Sequence, residues 1–318
     1  MTIEQARAHA VPKPWGSLDV RPWRNERPDG SRIGEIWFER SNPGAKDPSL
    51  LLKLLFTEQP LSIQVHPDDA CAHSLRLANG KTEAWYVLSA VPDAKVALGL
   101  SRRVTLPELR QAIKNGAISE LVKWCKVLEG DTVFVPAGTI HAIGAGIVIA
   151  EIQQRSDATF RLFDYGRERE LHIEGALAVA DAGPAAVQGH PRRLSNERTL
   201  LVTNEHFVFE KIRLTPNSGW CMEAEGETWL LILEGNARVG SFDLGRGDAV
   251  FAQSDHVIIR PGPAGMVGLV AYTGSTPASD LLRPLKQTDA IDSTLQKEVQ
   301  MPFIASAKTS NGQLGMTR

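Results

Sequence analysis

Short segments rich in β-branched and aromatic residues recur along the first two-thirds of the chain. Glycine, proline, asparagine or aspartate bounds each segment, which is the pattern of a β-sandwich or β-barrel. The expected fold class is therefore mainly β. The predicted strands are Ile33–Glu39, Leu50–Thr57, Leu61–His66, Glu83–Ser89, Lys95–Leu100, Thr132–Val135 and Ile147–Gln153.

Two segments have apolar residues at helical spacing instead. Thr105–Asn115 opens with a threonine suited to an N-cap, carries Pro107 and Glu108 in its first turn, and stops at Gly116. Leu171–Ala180 repeats apolar residues with a similar period. A helix is predicted at each.

An internal repeat organises the rest of the chain. Two pairs of signatures match, namely Glu83-x-Trp85-x-x-Leu88 with Glu227-x-Trp229-x-x-Ile232, and Gly130-Asp131-x-Val133-Phe134 with Gly247-Asp248-x-Val250-Phe251. The signatures lie 47 residues apart in the first copy and 20 in the second. Two copies of one β-unit are therefore expected, the first with a helical insertion near 101–122.

The composition between and after the copies suggests domain boundaries. Glycine and proline without periodicity mark a linker at 183–195. The predicted domains are a first copy at 1–182 and a second at 196–275, followed by a polar extension at 276–318.

Composition and charge favour a globular protein with a small partner. The 318 residues are 42% hydrophobic, and the formal net charge of −2 includes no long basic run, which argues against nucleic acid or anionic lipid as partner. Cys71, Cys125 and Cys221 are too few and too widely spaced for a disulfide framework, so a reducing cytoplasm is expected. The first ten residues do not resemble a secretory signal, and no apolar run approaches the ~18 residues of a membrane span. A monomer and a homodimer both remain open.

Four polar residues of the first copy form a candidate metal site. Gln64 and His66 are two residues apart in a predicted strand, so their side chains share a face. Glu83 and His141 follow later in the chain. An amide oxygen, a carboxylate and two imidazoles suit zinc or another borderline divalent ion, with coordination positions left for substrate. Such an open site predicts catalysis.

The spacing Gly130-x5-Pro136-x-Gly138-x2-His141 resembles the second signature of the cupin superfamily, whose Pro/Gly turn projects a metal-binding histidine into a small barrel. The first cupin signature usually has a histidine where Gln64 stands. A Gln, His, Glu, His set resembles the type I phosphomannose isomerases (mannose-6-phosphate isomerases), in their short bacterial form. Further blocks similar to that family are KPWG (13–16), IGEIW (33–37), SIQVHPDD (62–69), GKTEAWY (80–86), VPAGTIHA (135–142) and EIQQRSDATFR (151–161).

The resemblance implies two cupin-like jelly-roll β-barrels and one zinc ion per chain, held by Gln64, His66, Glu83 and His141. It also implies interconversion of mannose 6-phosphate and fructose 6-phosphate through a cis-enediolate. In the second copy only Glu227 matches a ligand, so that copy is expected to be metal-free and structural.

Four further residues are expected to serve the substrate. Arg161 can stabilise the developing enediolate, whereas Lys81 can meet the phosphate or shuttle protons, and Ser62 is expected to bind substrate. Glu151 is the first candidate for the base, because a carboxylate on an apolar strand should have a raised pKa, and Lys81 is the second.

Several alternatives remain open at this point. Glu151 could instead be a structural carboxylate paired with Arg155 or Arg161. Gly80 stands where long family members carry a histidine, so a ring-opening role for that histidine cannot be transferred. The competing functions are another cupin metalloenzyme of the oxygenase type, and a nonenzymatic sugar-phosphate-binding cupin.

Overall fold

The structure is a computed structural model, and it describes residues 2–24 and 30–285. The described residues up to 283 form one compact unit. The second unit, residues 284–318, lies outside the described residues except for its first two positions. The extension predicted at 276–318 is therefore described only as far as residue 285.

The described residues are mostly in β-strands. The helices are α1 (Asp69–Ser74), α2 (Leu106–Asn115), α3 (Ile118–Leu121) and α4 (Ile173–Val179). The strands are β1 (Thr2–Gln5), β2 (Arg7–Ser17), β3 (Ile33–Glu39), β4 (Leu50–Thr57), β5 (Ile63–Val65), β6 (Glu83–Ala90), β7 (Lys95–Leu100), β8 (Val122–Lys126), β9 (Thr132–Val135), β10 (His141–Ile143), β11 (Ile147–Gln154), β12 (Phe160–Phe163), β13 (Arg192–Arg193), β14 (Arg198–Thr203), β15 (Phe207–Leu214), β16 (Trp220–Ala224), β17 (Thr228–Val239), β18 (Phe242–Gly245), β19 (Ala249–Gln253), β20 (Asp255–Thr273) and β21 (Leu282–Pro284).

Two sheets build the first half. A six-stranded sheet has the order β2-β3-β4-β11-β6-β9, and a five-stranded sheet has the order β12-β5-β10-β7-β8. A buried cluster joins the two sheets, with Leu55, Trp85 and Ile149 on the first sheet and Val96 and Ile143 on the second. The space between these two sheets holds the candidate site.

A ten-stranded sheet builds the second half, with the main order β1-β19-β17-β20-β15-β14-β13. The first strand of the chain, β1, pairs with β19 there rather than with the first half. A second buried cluster contains Phe38 and Leu52 from the first half together with Trp229 and Phe251 from the second. The two halves thus share apolar core within one unit, and the boundary at 183–195 stays a prediction.

The two repeats pair corresponding strands in registers that differ by one residue, since Trp85 is opposite Val133 whereas Trp229 is opposite Phe251. Strand β6, which carries Glu83 and Trp85, is antiparallel to β9, just as β17, which carries Trp229, is antiparallel to β19. The turn glycines also match, because Gly130 N–H donates to Val87 O and Gly247 N–H donates to Ile232 O, each at 2.9 Å. The predicted repeat is therefore present in the structure.

The mainly β fold and the helical insertion are confirmed. Thr105 caps α2 in a capping box with Glu108, and Gly116 ends the helix in the left-handed conformation with φ +79°. Strands β1, β2, β8, β10 and β12 of the first half were not predicted. All of them except β10 lie at the end of a sheet's strand order, and β2 contains Pro12 and Pro14, residues that hide strand character in a sequence.

Candidate active site

The four predicted ligands come together at one place. Gln64 lies in β5 and pairs directly with His141, the first residue of β10, in an antiparallel register. The amide Nε2 of Gln64 is 3.3 Å from His141 Nε2 and 3.5 Å from His66 Nε2. Glu83 reaches the same point from the other sheet, with Oε1 3.3 Å from His66 Nε2 and Oε2 3.8 Å from His141 Nε2.

A tight turn before β10 places His141 beside the other three predicted ligands. Gly138 has φ +83°, a conformation that favours glycine. Its N–H donates to His66 O at 2.8 Å, which fastens the turn to the chain segment of the other histidine. The Pro-x-Gly-x-x-His spacing thus has a direct structural reason.

The protonation of both imidazoles suits a metal. His66 Nδ1 lies 2.7 Å from Ala158 O, and His141 Nδ1 lies 2.9 Å from Thr139 O. A carbonyl oxygen only accepts, so each Nδ1 carries the proton and each Nε2 presents a lone pair. Burial, followed by the charge of Lys81, lowers the pKa of His66 to about 3, and burial lowers the pKa of His141.

The two oxygen donors fit the same group. Burial tends to raise the pKa of Glu83, but the charge of Lys81 holds this pKa well below its ordinary value, so the carboxyl is ionised. Glu83 Oε1 lies 3.0 Å from Lys81 Nζ, yet within the described chain this buried atom has no hydrogen bond of good geometry. A half-turn of the Gln64 amide would bring Oε1 toward the histidines and leave Nε2 to donate to Ser62 Oγ, whose hydroxyl is now 3.1 Å from Oε1. The donor set fits a divalent metal.

Glu151 occupies the wall beside these ligands. It lies in β11 opposite Trp85, is 3% exposed, and accepts a hydrogen bond from Trp85 Nε1 through Oε2 at 3.0 Å. Burial and then the charge of Glu83 raise its pKa to about 7, the direction expected from an apolar strand. Its ion pair is with Lys53, at 3.4 Å from Oε1, whereas Arg155 is 3.9 Å from Asp47. The alternative pairing with an arginine is not what the structure has.

Lys53 was missed by sequence reasoning. Its Nζ lies 2.7 Å from Gln153 Oε1 and 3.9 Å from Glu35 Oε2. Burial lowers the pKa of this amine, against the raising effect of the Glu151 charge. The available signal was a single lysine inside the otherwise apolar strand β4, every residue of which is buried.

The site opens into a cavity of about 330 Å³, near the lower end of the range for small-molecule pockets. All the predicted catalytic and substrate-binding residues line it, but of the four ligands only Gln64 and Glu83 do so. The lining residues are Lys13, Trp15, Glu35, Trp37, Lys53, Leu55, Leu61, Ser62, Gln64, Lys81, Glu83, Trp85, Ile143, Glu151, Asp157, Thr159, Arg161 and Arg169.

Two arginines place positive charge on one wall of the cavity. Arg161 pairs in register with Gln64, and its Nη1 donates to Glu170 O at 2.8 Å, while its buried Nε has no partner among the described residues. Arg169 packs over Trp15, 5.0 Å from the ring centroid, and pairs with Asp164 at 2.6 Å. Burial and then the charge of Arg169 lower the pKa of Arg161. Two neighbouring cations of this kind favour an anionic ligand.

Gly80 leaves no room for the histidine that long family members carry. A Cβ at this position would lie 2.6 Å from the carbonyl carbon of Asp68 and 2.7 Å from Asp69 N. The close approach belongs to the turn before α1, where the Asp68 side chain caps the helix by accepting a hydrogen bond from Cys71 N–H. Any side chain here would displace this turn.

The second half does not reproduce the ligand set. Glu227, the counterpart of Glu83, accepts hydrogen bonds from Ser49 N–H at 2.7 Å and Ser49 Oγ at 2.6 Å. His256 lies two residues before the position that aligns with His141. It pairs with Glu223, which also accepts from Arg283 at 3.0 Å. Cys221, Glu223 and His256 do bring three possible ligand atoms within 4.8 Å of one another. The metal-free, structural role of the second copy therefore stays a prediction.

No protein-family model matches the chain. Among curated proteins, mannose-6-phosphate isomerase ManA of Bacillus subtilis (strain 168) is 34% identical over 253 residues, which are 73% of this chain and 77% of the relative. The mannose-6-phosphate isomerase of Streptococcus mutans serotype c (strain ATCC 700610 / UA159) is 38% identical over 221 residues, 66% of this chain and 67% of the relative. The chain belongs to the mannose-6-phosphate isomerase family.

Solved structures from the mannose-6-phosphate isomerase family share its fold. The crystal structure of the mannose 6-phosphate isomerase from Bacillus subtilis matches with a TM-score of 0.74 at 24% identity, covering 86% of this chain and all of that one. A zinc-bound mannose 6-phosphate isomerase matches with a TM-score of 0.66 at 15% identity over the same shares. The mainly β architecture of the described residues is thus the architecture of this family.

Proposed function

We propose that this protein is a zinc-dependent aldose–ketose isomerase that interconverts mannose 6-phosphate and fructose 6-phosphate. The single observation that carries the proposal is the position of Glu151, a buried carboxyl with a pKa near 7, beside the cluster of His66, Glu83 and His141. A base of this kind next to a divalent-metal donor set suits removal of a proton from a carbon beside a carbonyl. The relatives' names supply the substrate.

Gln64, His66, Glu83 and His141 would hold one zinc ion per chain. When bound, zinc would act as a Lewis acid that polarises the sugar carbonyl without redox chemistry. The neutral imidazoles and the ionised Glu83 give the donor set one negative charge. Lys81, 3.0 Å from Glu83 Oε1, partly balances that charge.

Within the described residues no helix is both long and apolar enough to cross a bilayer. A cytoplasmic location stays a prediction.

Glu151 would take the proton from sugar C2 and return it to C1. A pKa raised to about 7 suits a group that both accepts and releases a proton near neutral pH. If one carboxyl makes both transfers, it must reach C1 and C2 from the same face of the intermediate. A cis-enediolate allows this. Lys53 Nζ lies 3.4 Å from Glu151 Oε1 and would stabilise the negative charge of the ionised carboxylate between the two proton transfers.

Arg161 and Arg169 would hold the negative charge of the substrate. Arg161 lies beside Gln64, so we assign it to the developing enediolate. Arg169 lines the same cavity and would face the phosphorylated end of the sugar. Lys81 is occupied by Glu83, and Ser62 contacts the Gln64 amide, so both would act on substrate from beside the ligands.

The two competing functions have less support. An oxygenase needs a redox metal, and the relatives that match carry isomerase names. A nonenzymatic sensor would bind the sugar phosphate in the same cavity without turnover.

A time course separates these functions. The zinc-loaded protein is mixed with mannose 6-phosphate, with fructose 6-phosphate, or with unphosphorylated mannose, and the sugars are followed by NMR. Mannose 6-phosphate and fructose 6-phosphate should both reach the same equilibrium mixture. Mannose should react far more slowly, because it has no phosphate group for Arg169 to bind. Binding of mannose 6-phosphate without conversion would support the sensor and refute the isomerase.

A further inference from the structure

The indole N–H of Trp85 lies between two carboxylates of the candidate active site. Trp85 Nε1 is 3.2 Å from Glu83 Oε2 and 3.0 Å from Glu151 Oε2. One N–H thus donates to two acceptors, one on a proposed metal ligand and one on the proposed base. The indole also meets His141 edge-on, with the ring centroids 5.6 Å apart.

The strand pairing explains this placement. Glu83 and Trp85 are two residues apart in β6, so their side chains share a face. Glu151 is the direct partner of Trp85 across the β6–β11 ladder. Trp85 belongs to the buried cluster that joins the two sheets, which includes Ile149 of the first sheet and Ile143 of the second, and it is 1% exposed. The indole cannot easily move away from the two carboxylates.

Each carboxylate thus accepts from the indole N–H at one oxygen and has a lysine ammonium near the other. Glu83 has Trp85 at Oε2 and Lys81 at Oε1, whereas Glu151 has Trp85 at Oε2 and Lys53 at Oε1. Trp85 is a neutral donor shared by two acids whose charges repel each other. Its N–H offsets part of that repulsion and fixes the rotation of both groups.

We infer that Trp85 is a positioning residue that couples the metal-ligand carboxylate Glu83 to the base Glu151. The inference rests on the proposed isomerase function. From sequence, Trp85 reads as a core or pocket-wall aromatic, and the structure adds the shared hydrogen bond. Trp85 does not take part in proton transfer itself; it acts through the orientation of the two carboxylates.

The repeat supplies a matched control. Trp229 is the counterpart of Trp85 in the second copy and is also fully buried. Its Nε1 has no hydrogen-bond partner in the part of the chain that the structure describes. Trp85→Phe and Trp229→Phe therefore remove the same atoms from a buried site, but only the first removes hydrogen bonds to carboxylates.

Trp85→Phe should lower kcat by roughly 10- to 100-fold, the loss typical of a hydrogen bond to a charged group, with KM changed by less than about threefold. The acidic limb of the pH profile of kcat should move to higher pH. The ionised form of Glu151 loses a hydrogen-bond donor, which raises the pKa of this carboxyl. The zinc dissociation constant of the metal-stripped protein should rise by about tenfold or more. Trp229→Phe should change none of these.

Two results would overturn the inference: an acidic limb at the wild-type pH in Trp85→Phe, or equal losses of kcat in both tryptophan variants. If Trp85→Phe does not fold, benzothienylalanine at position 85 keeps the two-ring shape and replaces only the N–H by sulfur. The inference then requires the same shift of the acidic limb in the benzothienylalanine variant. Inactivity of the wild-type protein in parallel assays would instead refute the proposed function, while the zinc affinities would still test the link to Glu83.

Discussion

Replacement of the proposed base by its amide gives a quantitative prediction. Glu151→Gln keeps the shape of the side chain and an oxygen for Trp85 Nε1, but it cannot accept a proton at neutral pH. General-base catalysis typically contributes ~10²–10⁴-fold, so kcat should fall by that factor. Zinc content and KM should stay near those of the wild type, since Glu151 is not among the proposed ligands.

The raised pKa of Glu151 also predicts a stability change. A carboxyl with a folded-state pKa of about 7 and an ordinary value of 4.5 binds more protons when folded. Its stabilising contribution is fully present below about pH 4.5 and is lost as the pH rises through 7. The loss is on the order of 3 kcal/mol. The lowered pKa values of His66 and His141 give wild type and variant the same rise in stability toward neutral pH. The fall caused by Glu151 should therefore appear as a pH-dependent difference in unfolding free energy between metal-free wild type and metal-free Glu151→Gln.

Glu35 offers a control of opposite sign in the same cavity. Burial tends to raise its pKa, but the charges of Lys53 and Lys13 lower it below the ordinary value. Its contribution is present above its unfolded-state pKa and is lost as the pH falls. Glu35→Gln should therefore remove the loss of unfolding free energy that Glu35 causes at acidic pH. It should leave the contribution of Glu151, which decreases toward neutral pH, unchanged.

Two measurements check the Glu151 prediction together. NMR in deuterium oxide follows exchange of the sugar C2 proton, and urea unfolding of metal-free protein follows stability from about pH 3 to 8, a range that includes the acidic change expected from Glu35. Exchange in Glu151→Gln at the wild-type rate would remove Glu151 as the base and move the role to Lys81 or Lys53. An unchanged pH dependence of unfolding would show that Glu151 titrates at its ordinary pKa.

Two further predictions concern the metal site and the cationic wall. His66→Ala and His141→Ala should lose most zinc affinity in equilibrium dialysis, whereas His256→Ala should keep one equivalent; stoichiometric zinc in either of the first two variants would place the metal elsewhere. Arg161→Ala should lower kcat and kcat/KM by the same factor, because an interaction made mainly in the transition state is lost. A normal kcat with a raised KM in steady-state kinetics would assign Arg161 to ground-state binding instead.

Much of the first half could be predicted because its signals are local. The turn around Gly138 and the alternation of Gln64 and His66 fix side-chain directions within a few residues, and both are visible in the sequence. The capping box of α2 is equally local, so its start at Thr105 was placed correctly.

The remaining features depend on strand pairing, which no local pattern contains. Glu151 meets Trp85 only because β11 and β6 pair in one register, and Lys53 reaches Glu151 from a third strand. Strand β1 joins the second half through pairing with β19, a contact between residues about 250 positions apart in the chain. The hydrogen bond of Trp85 and the ion pairs of Lys53 therefore had to come from the structure.

A zinc titration of activity tests the central claim most directly. Metal-stripped protein receives zinc in fractions of an equivalent, and fructose 6-phosphate formation from mannose 6-phosphate is measured after each addition. Activity should be near zero without metal, rise linearly, and level off at one zinc per chain. Full activity in verified metal-free protein, or a plateau at two equivalents, would contradict an isomerase built on the single site of Gln64, His66, Glu83 and His141.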